Sequence, residues 1–502
     1  MKTKRSSLKI NAISNWASLF VQVLIGFFLT PYIISHLGKN GYGIWVLVSN
    51  FIGYYGLLNM GVGSAITRYM ARSIAMNDNY GLNSVANTAI TMFSTTGLIA
   101  IILSIIFSTP LTTFFQIDPS QSSNFQNIII LLGIATGLSF PSGVFSAMIT
   151  AKECYLTVNI VNIFISILRA VLTILILESG LGLSGIAYPS LIATIISLLA
   201  FSIISKKVVP EFVLMKQFIR SKTLKMLLLY GGYSTIISIS DLIRLQIDSL
   251  VIGKFIGTDQ VGIYAIAALI VQYFLKIIVS GMGVLKPRFA ALEGSNELSE
   301  LQETFLKSLS VSSFISCGAG MLLLIFGDFF INFWVGPEFE GAIPVLYILT
   351  IAYIFALAQT PGIALMFALN KHRYYAFVTT IEALVNVCLS IYLASTLGII
   401  GVALGTAIPM MIVKIFIQPF YTSRIAAISA FQYTKAIMPN IIVALLLIIT
   451  FKSFNIFSLF SFTTKNIYTV AIMSAILSLA YLFIISSISI RIKIILLSLL
   501  HK

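Results

Sequence analysis

The sequence predicts an all-α polytopic membrane protein, and three observations carry the prediction. Of 502 residues, 58% are hydrophobic and only 9% are charged, and the mean hydropathy is +1.01. Soluble domains carry roughly a quarter charged residues, so a soluble fold is excluded. Apolar segments of the ~20-residue length that crosses a bilayer recur from end to end. They also repeat, in order and at a nearly constant offset, across the middle of the chain.

The segments fall near 10–34, 42–66, 85–109, 127–149, 155–178, 183–205, 226–252, 261–284, 308–330, 343–366, 374–396, 399–421, 436–455 and 467–488, about 14 transmembrane helices. Lys2, Lys4, Arg5 and Lys9 precede the first. The run from Ile10 to Ile34 is too long for a signal-peptide core and lacks a small-x-small exit, so it reads as an uncleaved first span. Spans 5 and 6 are joined only through Gly180-Leu-Gly-Leu-Ser-Gly185, and spans 11 and 12 only through Leu397-Gly-Ile-Ile-Gly401. Pro141 and Pro361 are expected to kink spans 4 and 10.

The formal charge of +15 would suggest nucleic acid in a soluble chain. Here it has a topological explanation. With the N-terminus inside, the inner loops and termini hold 23 basic residues and the outer loops only four, Lys39, Lys254, Lys452 and Lys465. That bias places both termini in the cytoplasm and removes nucleic acid as a partner. The longest inner loop, 206–225, has six basic residues. It reads either as an amphipathic segment on the anionic inner leaflet or as a solvated basic loop. The cysteines Cys154, Cys317 and Cys388 are far apart, with no C-x-x-C. His36, His372 and His501 lie in loops or at the terminus. No metal site is expected from this set.

The internal repeat flanks the 206–225 loop. His36-Leu-Gly-Lys-Asn-Gly-Tyr-Gly-Ile-Trp45 matches Phe255-Ile-Gly-Thr-Asp-Gln-Val-Gly-Ile-Tyr264, pairing Gly38 with Gly257 and Gly43 with Gly262. Gly61-Val-Gly63 and Arg68 match Gly281-Met-Gly283 and Arg288, and further matches follow at Pro141 with Pro361 and at Gly182 with Gly398. The predicted organisation is a lobe of six helices at 1–205, a cytoplasmic linker at 206–225, a second six-helix lobe at 226–425 related to the first by a pseudo-twofold, and an appended pair with the tail at 426–502. Two parallel six-helix halves are a transporter plan, with the substrate between them.

Span 7 carries the densest charge. Asp241, Arg244 and Asp248 are spaced i, i+3, i+7 and share about 60° of helix face. Tyr230 and Ser234 extend the same stripe. The other ionisable residues inside spans are Arg169 (span 5), Lys276 (span 8), Glu382 (span 11) and Lys414 (span 12). A charge at mid-depth costs about 2.5–3.5 kcal/mol on insertion scales, so each faces water, a ligand or a partner. The bland readings stand beside that one. Asp241 and Arg244 are placed to pair with each other, Arg169 to pair with an acid such as Glu382, and Lys276 and Lys414 to snorkel. Asn15, Gln22, Asn50 and Asn59 read first as glue between helices, and second as partners for ligand hydroxyls.

The pattern Leu29-Thr-Pro-Tyr-Ile-Ile-Ser-His-Leu-Gly-x-x-Gly-Tyr-Gly-Ile-Trp, and the pattern Gln246-Ile-Asp-Ser-Leu-Val-Ile-Gly-x-x-x-Gly-x-x-x-Val-Gly-Ile-Tyr, resemble the polysaccharide-unit (O-antigen) flippases of the Wzx type. These belong to the multidrug/oligosaccharidyl-lipid/polysaccharide (MOP) exporter superfamily, and the resemblance covers essentially the whole chain. It implies flipping of an undecaprenyl-diphosphate-linked oligosaccharide, for a surface polysaccharide such as the O-antigen of lipopolysaccharide, across the bacterial inner membrane by ion-coupled alternating access. It implies a transport unit that is a monomer, with a polysaccharide polymerase or chain-length regulator as a candidate partner. Under that implication Arg169, Arg244, Lys276 and Lys414 bind the diphosphate and sugar. Asp241, Asp248 and Glu382 balance charge or carry a coupling H⁺ or Na⁺, and no other cofactor is expected.

Two other functions are weighed against this. A membrane polymerase or transferase would present catalytic carboxylates or a histidine in a sizeable outer loop, but the loops 110–126 and 456–466 hold only Asp118. There is no G-x-x-x-x-G-K-[ST], so the chain has no ATPase of its own. The alternative within transport is a cation-coupled multidrug or small-solute exporter of the same superfamily; those usually have twelve helices, and the appended pair favours the lipid-linked substrate.

Overall fold

The computed structural model describes residues 8–59, 62–230, 232–453, 467–489 and Ile492. Expectations that fall on Lys2, Lys4, Arg5, Gly61, the 456–466 loop with Lys465, and His501 lie outside the described residues. So do those on the side chains of Lys9, Asn59, Tyr230 and Ser234. Among the described residues the chain is helical throughout, with no strand. Two compact units, Met1–Gly262 and Ile263–Lys502, divide it.

The first unit contains α1 (Leu8–Gly53), a 3₁₀ turn (Tyr54–Asn59), α2 (Val62–Ala75), α3 (Asn79–Phe114), α4 (Pro119–Ala151), α5 (Tyr155–Glu178), α6 (Gly182–Gly185), α7 (Tyr188–Val208), α8 (Ser221–Tyr230), α9 (Gly232–Phe255) and the start of α10 (Thr258–Met282). The second contains the rest of α10, α11 (Leu285–Gly294), α12 (Leu298–Val335), α13 (Ala342–Ala358), α14 (Thr360–Ala368), α15 (Arg373–Ile412), a π-helical turn (Val413–Ile417), α16 (Gln418–Ile425), α17 (Ala430–Ser453) and α18 (Ile467–Ile488).

Ten of these helices are long and apolar enough to cross a membrane, or eleven when α13 and α14 are taken as one bent span. The sequence reading of about fourteen differs because two helices run through single left-handed glycines and because α9, the expected span 7, is too charged to count among them. α1 continues past Gly38 (φ 66°) and α15 past Gly398 (φ 60°), at the sites of the expected turns between spans 1 and 2 and between spans 11 and 12. Positive φ without a Cβ clash is what glycine allows. At Gly398 the helix folds back on itself. Asn386 Nδ2 donates to Thr406 Oγ1 at 2.7 Å and Ser390 Oγ to the Val402 carbonyl at 3.4 Å. A Cβ on Gly405 would lie 2.6 Å from the Ser390 backbone, so the hairpin closes only because it has none.

Pro141 stays inside the unbroken α4. Pro361 sits in the first turn of α14, just past Gln359, where the helix bends by 40°. Proline at a helix start gives up an amide that has no partner there anyway. The appended helices pack on unit 2: Tyr481 of α18 stacks on Phe314 of α12 (centroids 5.1 Å apart, 12°), and Asn440 of α17 donates to Ser313 Oγ at 2.6 Å. At the other end of the chain Asp118 caps α4, accepting from the Ser120 amide at 2.8 Å and its hydroxyl at 2.6 Å. Those bonds hold its carboxyl below the usual carboxylate range.

The 206–225 loop is neither a free solvated loop nor simply a leaflet-bound helix. Asn83 and Asn87, one turn apart on α3, clamp its backbone as a neighbouring strand would. Asn83 donates to the Glu211 carbonyl (2.9 Å) and accepts from the Val213 amide (2.7 Å). Asn87 repeats this with the Val213 carbonyl and the Met215 amide, both at 2.9 Å. The 211, 213, 215 spacing is that of an extended segment using one edge. With each bond worth about 0.5–1.5 kcal/mol, the double substitution Asn83→Ala/Asn87→Ala is expected to release the loop. Trypsin should then cut after Lys216, Arg220 or Lys222 at least several-fold faster than in the wild type; equal cutting rates would show that the clamp does not hold the loop.

Candidate functional site

Unit 1 places two of the expected groups. Helices α1 and α5 lie side by side and parallel. Asn159 donates to Ser14 Oγ (2.9 Å) and Asn15 Oδ1 (2.6 Å), and Tyr32 donates to Glu178 Oε1 at 2.5 Å. The offset in residue number is 144 to 146 along this seam. Arg169 therefore stands midway along the pair, level with Val23, Leu24 and Ile25. The residue is exposed, and no ion pair or hydrogen bond to its guanidinium is found among the described residues. Gln22 is also exposed and donates to Ser18 Oγ at 3.2 Å.

The α9 stripe is the second group. Arg244 Nη2 donates to Asp241 Oδ1 at 2.9 Å, the local i, i+3 pair. Asp248 is buried at 6% exposure, with Tyr54 close enough to feel its charge. The back of α9 pairs antiparallel with the second half of α1. Asn50 donates to Ser249 Oγ at 2.7 Å, Gln246 lies against Gly53, Leu47 against Gly253, and Asn40 donates to Thr258 Oγ1 at 2.9 Å. This lengthwise seam is why the first compact unit runs to Gly262 rather than ending at the 206–225 loop. It also gives Asn50 a structural partner, as the α1–α5 seam does Asn15, in keeping with helix glue.

Unit 2 holds the other three. Lys276 is exposed on α10, with no partner among the described residues. Glu382 is 3% exposed on α15. Lys414 is 2% exposed and does not snorkel. It stands in the π-helical turn, with its ammonium on Gln418 Oε1 (2.7 Å) and 5.3 Å from the Tyr375 ring centroid. Gln359, at the α13–α14 break, ties the region together. Its Nε2 donates to the carbonyls of Phe355 (3.1 Å) and Lys414 (2.5 Å), its Oε1 accepts from Tyr433 (2.8 Å), and its own carbonyl accepts from Gln418 Nε2 (3.1 Å). Carbonyls freed by a break and a π turn are thus satisfied by side chains, which is how such irregular backbone survives inside a membrane.

One feature has no counterpart among the residues expected from sequence. A cavity of about 570 Å³ opens in unit 1 between α2, α3 and α4. Ser139, Gly143, Ser146 and Thr150 form its α4 wall, spaced i, i+4, i+7, i+11 on one helix face, and Gly63 and Thr67 its α2 wall. That small polar stripe was legible in the sequence; three helices converging on it were not.

An all-helical membrane chain with cations set inside apolar helices defines the class of a membrane transporter, and the fold agrees. It matches the inward-facing conformation of a multidrug resistance MATE family transporter of the MOP superfamily with TM-score 0.71 and 18% identity, covering 83% of this chain and 98% of that one. It matches lipid II flippase MurJ in its inward closed conformation with TM-score 0.70 and 15% identity, covering 94% and 97%. The family model described as polysaccharide biosynthesis protein matches residues 36–344, and the chain belongs to that family. It is 26% identical over 450 residues to the uncharacterized membrane protein EpsK of Bacillus subtilis (strain 168), covering 86% of each. It is 23% identical over 419 residues to the putative O-antigen transporter of Shigella flexneri, covering 82% of this chain and 97% of that protein.

Proposed function

We propose that this protein flips a lipid-linked oligosaccharide, an undecaprenyl-diphosphate-linked unit of a surface polysaccharide, from the cytoplasmic to the outer face of the plasma membrane. Both termini are then cytoplasmic, and a polysaccharide polymerase on the outer face is the natural recipient of the product. The observation that carries the reading is Arg169, an exposed residue halfway along an apolar helix whose side chain has no ion-pair partner among the described residues. A charge there costs about 2.5–3.5 kcal/mol. A diphosphate headgroup that must leave water offsets that cost, because guanidinium matches phosphate oxygens bidentately. Lys276, exposed in unit 2, adds a second cation. Family membership and relatives such as the O-antigen transporter support the same substrate class. Ion coupling through Asp248 or Glu382, both buried carboxylates, completes the proposal.

The test is a deletion strain. Surface polysaccharide should be lost and lipid-linked units should accumulate on the inner face, and the wild-type gene should restore both. Arg169→Ala should lower flipping by about tenfold or more at normal protein level, with Arg169→Lys intermediate. An intact polysaccharide layer combined with new sensitivity to cationic dyes would instead favour a drug exporter.

A further inference from the structure

We propose that the cavity between α2, α3 and α4 is a glycan subsite, holding the neutral sugar part of the transported lipid and not its diphosphate. The inference rests on the flippase reading and says where in the protein the sugar is held. Three lining hydroxyls are already committed as donors. Thr67 donates to the Gly63 carbonyl (3.3 Å), Ser139 to that of Thr136 (2.7 Å) and Thr150 to that of Ser146 (3.0 Å). What each oxygen offers the cavity is a lone pair, an acceptor. Sugar hydroxyls are donors in abundance and match these three acceptors, whereas phosphate oxygens are acceptors only and do not. None of the residues lining the cavity is ionisable, so a diphosphate placed in it would lose its hydration with no cation to replace it.

The remaining wall is apolar. Phe93 and Phe140 stack on each other at 6.1 Å with their planes 10° apart, a rigid apolar backing to the cavity. A mostly apolar wall with a few placed polar atoms, and a volume inside the roughly 300–1,000 Å³ range, is the build of a small-ligand site. Along α2, Ser64, Arg68 and Arg72 follow one another at i, i+4, i+8, all exposed. They run from the cavity toward the end of the helix, so guanidiniums stand one and two turns beyond the sugar, where a diphosphate would follow it.

Gly143 supplies the test. A Cβ there would meet nothing within 4 Å, so Gly143→Leu starts its side chain in open space and adds bulk to the cavity, and within a helix leucine is favoured over glycine. Two probes are used on the purified full chain in nanodiscs: the lipid-linked oligosaccharide extracted from the deletion strain, and undecaprenyl diphosphate without sugar. Gly143→Leu should weaken the first by about tenfold or more and leave the second unchanged. Ser139→Ala/Thr67→Val, which removes acceptors without adding bulk, should weaken the first several-fold. If the deletion strain accumulates no such lipid, or the wild type binds neither probe, the flippase reading fails. If the wild type binds both and Gly143→Leu binds the oligosaccharide lipid as tightly, or loses both probes equally, the flippase reading stands and the glycan subsite is overturned.

Discussion

Gly43→Ile is expected to yield no recoverable folded protein, and Gly43→Ala to destabilise it by about 1–3 kcal/mol, the usual cost of overpacking a filled interior. A Cβ at position 43 would lie 2.8 Å from the carbonyl carbon of Thr258 and 3.1 Å from the amide nitrogen of Gly262. These are backbone atoms of α10, which cannot rotate away. The reciprocal Cβ at Gly262 would lie 2.6 Å from the Lys39 carbonyl oxygen and 3.3 Å from the Gly43 nitrogen. Close helix approach through glycine is the membrane counterpart of a packed core. Because both substitutions strain one contact, Gly43→Ala and Gly262→Ala should combine to less than the sum of their separate effects. Gly294→Ala is the control: its Cβ would meet nothing within 4 Å, and it should be near neutral. Thermal unfolding of the detergent-solubilised proteins, followed by size-exclusion recovery, measures all five, the double variant included. Undiminished recovery of Gly43→Ile would mean that the helices do not meet there.

The same glycines show how far the sequence could be read. Gly43 and Gly262 were matched as repeat mates by spacing alone, and the structure brings the two mates into contact with each other. The apolar segments, the turn at Gly398 and the Asp241–Arg244 pair were legible because each depends on residues close in sequence: hydropathy over ~20 positions, one glycine, an i, i+3 spacing. What was not legible depends on distant partners. Nothing near Asn83 and Asn87 says that residues 211–215 will lie against them. Lys414 looked placed to snorkel because it is close to the end of an apolar run, yet its surroundings are set by Gln359 and Tyr375, 55 and 39 positions earlier in the chain. The cavity between α2, α3 and α4 was not legible for a different reason. A charge in an apolar span announces itself, while serine, threonine and glycine on one helix face are equally what tight helix packing uses. The carboxylates and cations singled out from sequence divide accordingly: Arg169 and Lys276 reach the surface of their units, while Asp248, Glu382 and Lys414 are interior.

Gln359→Leu is expected to cost up to about 2–6 kcal/mol, because it takes a partner from two buried groups at up to about 1–3 kcal/mol each. The Tyr433 hydroxyl, on a residue 2% exposed, loses its acceptor, and the Lys414 carbonyl in the π turn loses its side-chain donor. Tyr433→Phe alone removes only one of these bonds and should cost less. The double variant Gln359→Leu/Tyr433→Phe should be more stable than the sum of the single effects requires, since removing both partners of a buried bond leaves neither unsatisfied. Strict additivity would mean that the two side chains do not act on one another, and the network would then be a set of separate contacts. Coupling has a consequence for transport. Gln359 bridges the α13–α14 break to the turn that holds Lys414 on Gln418, so a variant that frees the turn also frees a buried ammonium. Gln359→Leu should therefore impair flipping beyond its effect on protein level, and Tyr433→Phe, which leaves the Gln359–Lys414 bond in place, should flip normally for the amount present. Equal specific flipping by both variants would assign the network to stability alone.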